Sequence, residues 1–107
     1  MQACLVVPTT EIFRSTLGPV GNDCWGESSP QPCQSHSFTH RRGVATARLT
    51  WTGNAELSML MIKGWDITAR GTREFSVSLG PGQYDVWLVY SSGNAPTAYT
   101  LVVTHQK

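Results

Sequence analysis

The chain reads as an all-β protein, an antiparallel β-sandwich or jelly roll of about eight strands. Three observations predict this. Through much of the second half apolar and polar residues alternate: Phe75, Val77 and Leu79, then Tyr84, Val86, Leu88 and Tyr90, then Tyr99, Leu101 and Val103. Period-2 spacing marks strands with one face on a core. The runs are separated by turn formers, Gly80-Pro81-Gly82 and Ser92-Gly93-Asn94-Ala95-Pro96, whose preset and permissive backbones reverse a chain. No stretch carries a helical period of normal length, and strands at such spacing in one small chain form a sandwich or jelly roll.

Taken in order, residues 3–7 (Ala3-Cys4-Leu5-Val6-Val7) make a short strand ended by Pro8, with Cys4 as a buried free thiol. Glu11 to Leu17 makes a second, with Phe13 and Leu17 on one face, stopped by Gly18-Pro19. Residues 20–34 read as a long irregular loop, and Ser35 to His40 as a short strand anchored by Phe38. From Val44 to Thr52, Ala45, Ala47, Leu49 and Trp51 point one way and Thr46, Arg48 and Thr50 the other. After a turn at Gly53-Asn54, Glu56 to Ile62 sets Leu57, Met59 and Met61 on one face. Leu60 and Ile62 make that segment apolar on both sides; its composition also suits a helix, but its brevity and flanking glycines favour a strand buried on two sides. Residues 63–73 read as a second irregular loop. The last three strands are those of the opening observation.

A chain of 107 residues is one domain, 1–107, long enough to own a single core. Charged residues are only 14%, and 8 basic against 7 acidic side chains leave +1, which argues against nucleic acid as a partner. His40-Arg41-Arg42 is read as a solvated turn. No apolar run approaches the roughly 20 residues a membrane helix needs. The start, Met1 to Glu11, lacks the basic region of a signal peptide. Between an intracellular protein and an exported one whose signal has been removed, the cysteines and low charge favour the exported one, with Met1 an added start.

Of the three cysteines, Cys24 and Cys33 bracket a polar loop with two prolines, and a disulfide there would tie it down. Closing about ten residues is worth roughly 2.5 kcal/mol, less where prolines already stiffen the open chain. A metal pair or two free thiols are the alternatives; zinc would need two further ligands, and no second close Cys or His pair accompanies this one.

Catalytic chemistry finds thin support. The three histidines (His36, His40, His105) and seven carboxylates are scattered. There is no Gly-x-Ser-x-Gly, no His-Glu-x-x-His and no glycine-rich phosphate loop. His36 and His40 share a strand face across Phe38, where ordinary strand residues are favoured over a metal pair. Glu56, Asp66, Glu74 and Asp85 offer carboxylates for a glycosidase-like pair, whose separation a sequence does not state. The reading is of no enzyme, no cofactor and no metal.

Four tryptophans say more. Trp51 has inward phase and is structural. Trp25 and Trp65 lie in the two irregular loops, where each staples its loop or protrudes. Trp87 is out of phase with Val86 and Leu88 and faces outward. If the Gly80–Gln83 turn closes a hairpin pairing Leu79 with Tyr84, Ser76 lies opposite Trp87 and Ser78 opposite Asp85. If the next turn pairs Tyr90 with Tyr99, Val102 and Thr104 flank the other side. One outer strip then gathers Trp87, Asp85, Ser76, Ser78, Thr100 and Thr104. A flat aromatic amid hydroxyls and a carboxylate can stack a sugar ring and bond its hydroxyls. Val89 and Val102 beside it favour a covered surface instead.

The runs ATARLTWTGNAELSMLM, EFSVSLGPGQYDVWLVY and AYTLVVTH resemble the bacterial pre-peptidase C-terminal domain over about residues 11–105. That family's order is a G-x-L-x-V-x-L-x-W strand, an acidic-Leu-x-Leu strand, a P-G-x-Y strand opening and a closing Y-T-L-x-V. The resemblance implies a secreted, non-catalytic sandwich appended to an exported hydrolase, whose relatives bind collagen, chitin or other insoluble polymers, or are clipped off during maturation. One carboxylate of the family's acidic run is missing from Glu56-Leu57-Ser58-Met59, and no acidic calcium-binding segment precedes it, so neither calcium nor collagen is carried over. The expected function is a non-catalytic module of a secreted bacterial protein that binds a polysaccharide or other extracellular polymer. Trp87 would stack, Asp85, Ser76 and Thr104 would bond hydroxyls, and Trp25 and Trp65 would extend the platform. The alternative is a propeptide-like or adhesion sandwich that packs on a parent catalytic domain, a partner or itself.

Overall fold

Alternating strands must bury one face each, and two sheets laid face to face do this for all of them. The computed structural model of the chain describes residues 8–18, 23–24, 31–64 and 66–106. Its elements are β1 (Pro8–Leu17), β2 (Asp23–Cys24), β3 (Gln31–His40), β4 (Gly43–Trp51), β5 (Glu56–Lys63), β6 (Asp66–Gly71), β7 (Glu74–Leu79), β8 (Gly82–Ser92) and β9 (Thr97–Gln106). They form a four-stranded sheet, β1-β9-β4-β7, and a five-stranded sheet, β2-β3-β8-β5-β6. Every pairing is antiparallel. The sandwich is therefore as expected, with eight full strands and a two-residue ninth among the described residues.

The inward phase of each run holds. Ala45, Ala47 and Leu49 of β4, Leu57, Met59 and Met61 of β5, Val86 and Leu88 of β8, and Leu101 and Val103 of β9 are buried together, with Phe13, Trp51, Phe75 and Val77 packed around them. Trp51 is structural: its indole Nε1 donates to the Ala55 carbonyl at 2.8 Å, and the Arg73 guanidinium lies 4.0 Å above its ring.

Four expectations are corrected. Residues 63–73 are not a loop throughout, because β6 pairs there with β5 through a bulge at Met61/Ile62. β6 is an edge strand with its side chains largely in solvent, so it carries no alternation to read. Strand β3 begins at Gln31, within the span read as loop, because pairing to β8 as far as Cys33↔Val89 sustains a polar segment. Strand β1 begins at Pro8, an edge position where a missing N–H is tolerated. Neither expected hairpin forms. Leu79 and Tyr84 point into the core from opposite sheets, as do Tyr90 and Tyr99. The strand at 3–7, Cys4, Trp25 and Trp65 lie outside the described residues.

Tyrosines pin both crossings. Tyr84 donates its hydroxyl to the Gly80 carbonyl at 2.8 Å. Tyr90 donates to the Ala95 carbonyl at 2.7 Å and accepts from the Ala95 N–H at 3.3 Å. Each ring is in the core and each hydroxyl reaches the turn that carries the chain to the other sheet.

Polar links also join the sheets through the interior. His36 of β3 stacks on Phe13 of β1 with ring centres 4.6 Å apart, and its Nε2 donates to the Tyr99 hydroxyl at 2.7 Å. Tyr99 donates on to Gln34, whose amide donates to the Thr16 carbonyl at 2.9 Å. Burial holds the His36 imidazole below its ordinary pKa and raises that of Tyr99, a bond from Ser15 opposing the second shift. At the other end His40 and His105 are buried, 2% and 1% exposed, with rings 5.8 Å apart. His40 Nε2 bonds the Gly43 carbonyl at 3.0 Å and His105 Nε2 the Glu11 carboxylate, while both Nδ1 atoms lack a partner among the described residues.

Candidate binding faces

Because the core takes the inward phase, the outward phase of each sheet is what the molecule can offer. In the five-stranded sheet that phase on β8 is Gln83, Asp85, Trp87 and Val89. Trp87 has Ser35 of β3 on one side and Leu60 of β5 on the other; beyond Leu60 comes Arg70 of β6. One row along, Asp85 lies between Ser37 and Ile62, and Ile62 pairs with Ile67. Ser37 donates its hydroxyl to Asp85. Trp87, Leu60, Ile62 and Val89 are half-buried, and Ile67 is 45% exposed. The result is an apolar patch across three strands, edged by Ser35, Ser37, Asp85 and Arg70.

The four-stranded sheet turns out a different surface. One row runs Thr10–Thr104–Thr46–Ser76, with the Thr46 and Ser76 hydroxyls 2.8 Å apart. The next runs Ile12–Val102–Arg48–Glu74, where Arg48 donates to Glu74 at 2.6 and 2.9 Å. Then come Arg14–Thr100–Thr50 and Thr16–Ala98. At that end lies a shallow depression of about 500 Å³ lined by Arg14, Thr16, Thr50, Thr52, Ala98 and Thr100. A smaller one of about 150 Å³ lies farther along the same face, among Thr46, Arg48, Val102 and Thr104.

The single strip expected around Trp87 thus does not form. Trp87 and Asp85 remain together, but Ser76, Ser78, Thr100 and Thr104 belong to the opposite sheet, on the far side of the molecule. Ser76 lies opposite Thr46, and Tyr99 pairs with Ser15 and Trp51. Leu60, Ile62 and Ile67 were not expected at the Trp87 face. The signal for two of them was present, since Leu60 and Ile62 break the alternation of their strand outward. Of the carboxylates offered for a glycosidase-like pair, Glu74 belongs to the four-stranded sheet and Glu56, Asp66 and Asp85 to the five-stranded one. Among the described residues no group of three or more His, Cys, Asp or Glu side chains converges. Cys33 is not free, and what it bonds lies outside the described side chains, as does the side chain of Cys24.

Fold and faces define a small two-sheet β-sandwich with one apolar and one hydroxyl-rich outer surface. No protein-family model matches the chain, the pre-peptidase C-terminal domain included, and no curated protein matches its sequence. Among solved structures it is similar to the crystal structure of the Yersinia pseudotuberculosis-derived mitogen, at 15% identity and a TM-score of 0.69, over 94% of this chain and 89% of that one. It is also similar to Aeromonas hydrophila PliG, a periplasmic inhibitor of g-type lysozyme, at 8% identity and a TM-score of 0.60, over 89% and 84% of the two chains. These likenesses establish a small all-β fold.

Proposed function

We propose that the chain is a non-catalytic binding module of an exported protein, and that its contact face is the outer surface of the β8 sheet. One observation carries the reading. Trp87, Leu60, Ile62, Val89 and Ile67 lie in adjacent register on the side turned away from the core. An aromatic and aliphatic centre with a polar rim is the anatomy of a protein interface. The occupant that suits it is a second copy. A twofold axis lying in the face between Leu60 and Ile62 sets Arg70 of each copy against Asp85 of the other, and Trp87 over Leu60. Among the described residues Arg70 has no partner of its own. An exported location is in keeping with a periplasmic protein among the structural neighbours. Light scattering from micromolar to millimolar protein tests the reading: mass should rise toward a dimer, and Ile67→Asp should hold the chain monomeric. A wild-type chain monomeric throughout would end it.

A second reading, polysaccharide on the same face, is favoured by Trp87 standing beside Ser35 with the Asp85–Ser37 pair next to it. Wild type and Trp87→Ala would be compared for retention on insoluble cellulose and chitin. Equal retention removes Trp87 as a sugar-stacking residue.

A further inference from the structure

We propose that the depression at the Ala98 end of the β1-β9-β4 surface is a binding site for an acidic saccharide, one carrying a carboxylate or a sulfate. The site lies on the opposite side of the molecule from the Trp87 face and does not depend on it.

Its shape comes from Ala98. On either side of β9 the outward positions carry longer side chains, Thr16 and Arg14 from β1, Thr50 and Thr52 from the β4 side. At Ala98 a lone methyl group leaves the floor low, and about 500 Å³ opens above it. Its chemistry comes from the rim. Four threonine hydroxyls surround the floor, and among the described residues no carboxylate lines it. A hydroxyl both donates and accepts, as sugar hydroxyls do, so threonines on both flanks can bond a ring that presents hydroxyls on both edges.

The charge is Arg14. Other guanidinium groups on this sheet are engaged: Arg48 is bound to Glu74, and Arg73 covers the ring of Trp51. Arg14 is exposed and, among the described residues, bonds nothing. A guanidinium without a partner among the described residues, beside a hollow that none of their carboxylates lines, suits an oxyanion, which it can grip in bidentate fashion. Trp51 and Tyr99 also line the hollow, but Arg73 covers one face of the Trp51 ring and the Tyr99 ring is buried, so the proposed binding is carried by polar contacts. The second depression continues along the outer face of β9 to Thr104. Six residues of strand span roughly 20 Å, so an oligosaccharide rather than a single sugar fits the surface.

The test uses the whole chain, labelled with nitrogen-15, titrated with three probes: an oligogalacturonate trimer, a sulfated heparin disaccharide and neutral cellotriose. At least one acidic probe should shift the amides of residues 14–16, 50–52 and 98–100, and which does so identifies the acid. Arg14→Ala should weaken binding about tenfold, the share of one charge-assisted contact. Arg42→Ala, which removes the same charge from the turn at the other end of the sheet, should change it less than about twofold. Ala98→Leu should fill the hollow and abolish binding while circular dichroism stays unchanged. The proposal fails if neither acidic probe moves those amides, if cellotriose moves them equally, or if Arg14→Ala and Arg42→Ala weaken binding alike. Dimerisation measured by light scattering is read separately, so failure at one face leaves the other standing.

Discussion

Replacing Gly93 with alanine should be among the most costly single-methyl additions in the molecule. Gly93 opens the crossing from β8 to β9 with a φ of 142°. A β-carbon there would sit 2.3 Å from the Tyr90 hydroxyl oxygen, 2.9 Å from the ring carbon bearing it and 3.0 Å from the Ala55 methyl. Tyr90 cannot simply move aside. It is 4% exposed, and its hydroxyl makes both bonds to Ala95. Relief of the clash therefore sacrifices two hydrogen bonds at about 1 kcal/mol each and shifts a packed ring, while the backbone conformation adds about 1–2 kcal/mol. The sum is about 3–5 kcal/mol, a large share of the stability of a small domain.

Urea unfolding followed by tryptophan fluorescence gives the number, with Gly53→Ala as the comparison. Gly53 has a φ of 105° but nothing within 4 Å of its added carbon, so only the backbone cost of about 1–2 kcal/mol applies. Tyr90→Phe supplies the second comparison: in that background Gly93→Ala should lose much of its effect, since the nearest clashing atom is gone. Equal costs for Gly93→Ala and Gly53→Ala would refute the idea that Tyr90 pins the crossing.

The other predictions concern the core, pH and the cysteines. Leu49, 0% exposed at the centre of β4, should cost about 3–5 kcal/mol as Leu49→Ala, whereas Arg48→Ala, which breaks an exposed ion pair, should cost under about 1 kcal/mol; calorimetry that ranks them the other way contradicts the inward assignment of β4. Since burial lowers the pKa of His36 in the fold from its ordinary 6.5, its contribution is fully present above pH 6.5 and declines as pH falls through the folded value. His36→Gln should flatten the decline in urea midpoint below pH 6.5, and an unchanged slope would clear His36 of it. Cys33 is not free, and the sequence expectation pairs it with Cys24 across the proline-containing loop, so mass spectrometry after alkylation should find Cys24 and Cys33 linked and Cys4 modified; a Cys4–Cys33 link would overturn that pairing.

Much of the sandwich was legible because alternation states directly which side chains face a core. Ala45 to Leu49, Leu57 to Met61, Tyr84 to Tyr90 and Tyr99 to Val103 all point where their period says. What alternation does not state is which sheet a strand joins. Leu79 and Tyr84 face inward whether β7 and β8 form a hairpin or an arch between sheets, so the Gly80-Pro81-Gly82 turn reads the same in both cases. Strand β6 was missed for the opposite reason. At the edge of its sheet, with Asp66, Ile67, Thr68 and Arg70 exposed, it has no buried face to write a period into the sequence. Tyr84 and Tyr90 were the available hint, each within a few residues of a turn whose carbonyl its hydroxyl could reach only from inside the fold.

The same ambiguity displaced the candidate site. Reading both turns as hairpins superposed the outward residues of two sheets on one strip, so an aromatic from one face and hydroxyls from the other looked like parts of a single sugar site. Separated, each face is chemically simpler. The β8 surface has Trp87 with Leu60, Ile62 and Ile67, more apolar than a sugar requires and suited to another protein surface. The β9 surface has threonines, a hollow at Ala98 and an Arg14 with no partner among the described residues, suited to a polar, acidic ligand. Trp87→Ala and Arg14→Ala therefore probe different contacts, whereas on a single strip Trp87→Ala and Thr100→Val would weaken binding of the same saccharide. With two faces on two sheets, Arg14→Ala weakens the acidic saccharide at the Ala98 hollow while Trp87→Ala leaves that binding unchanged.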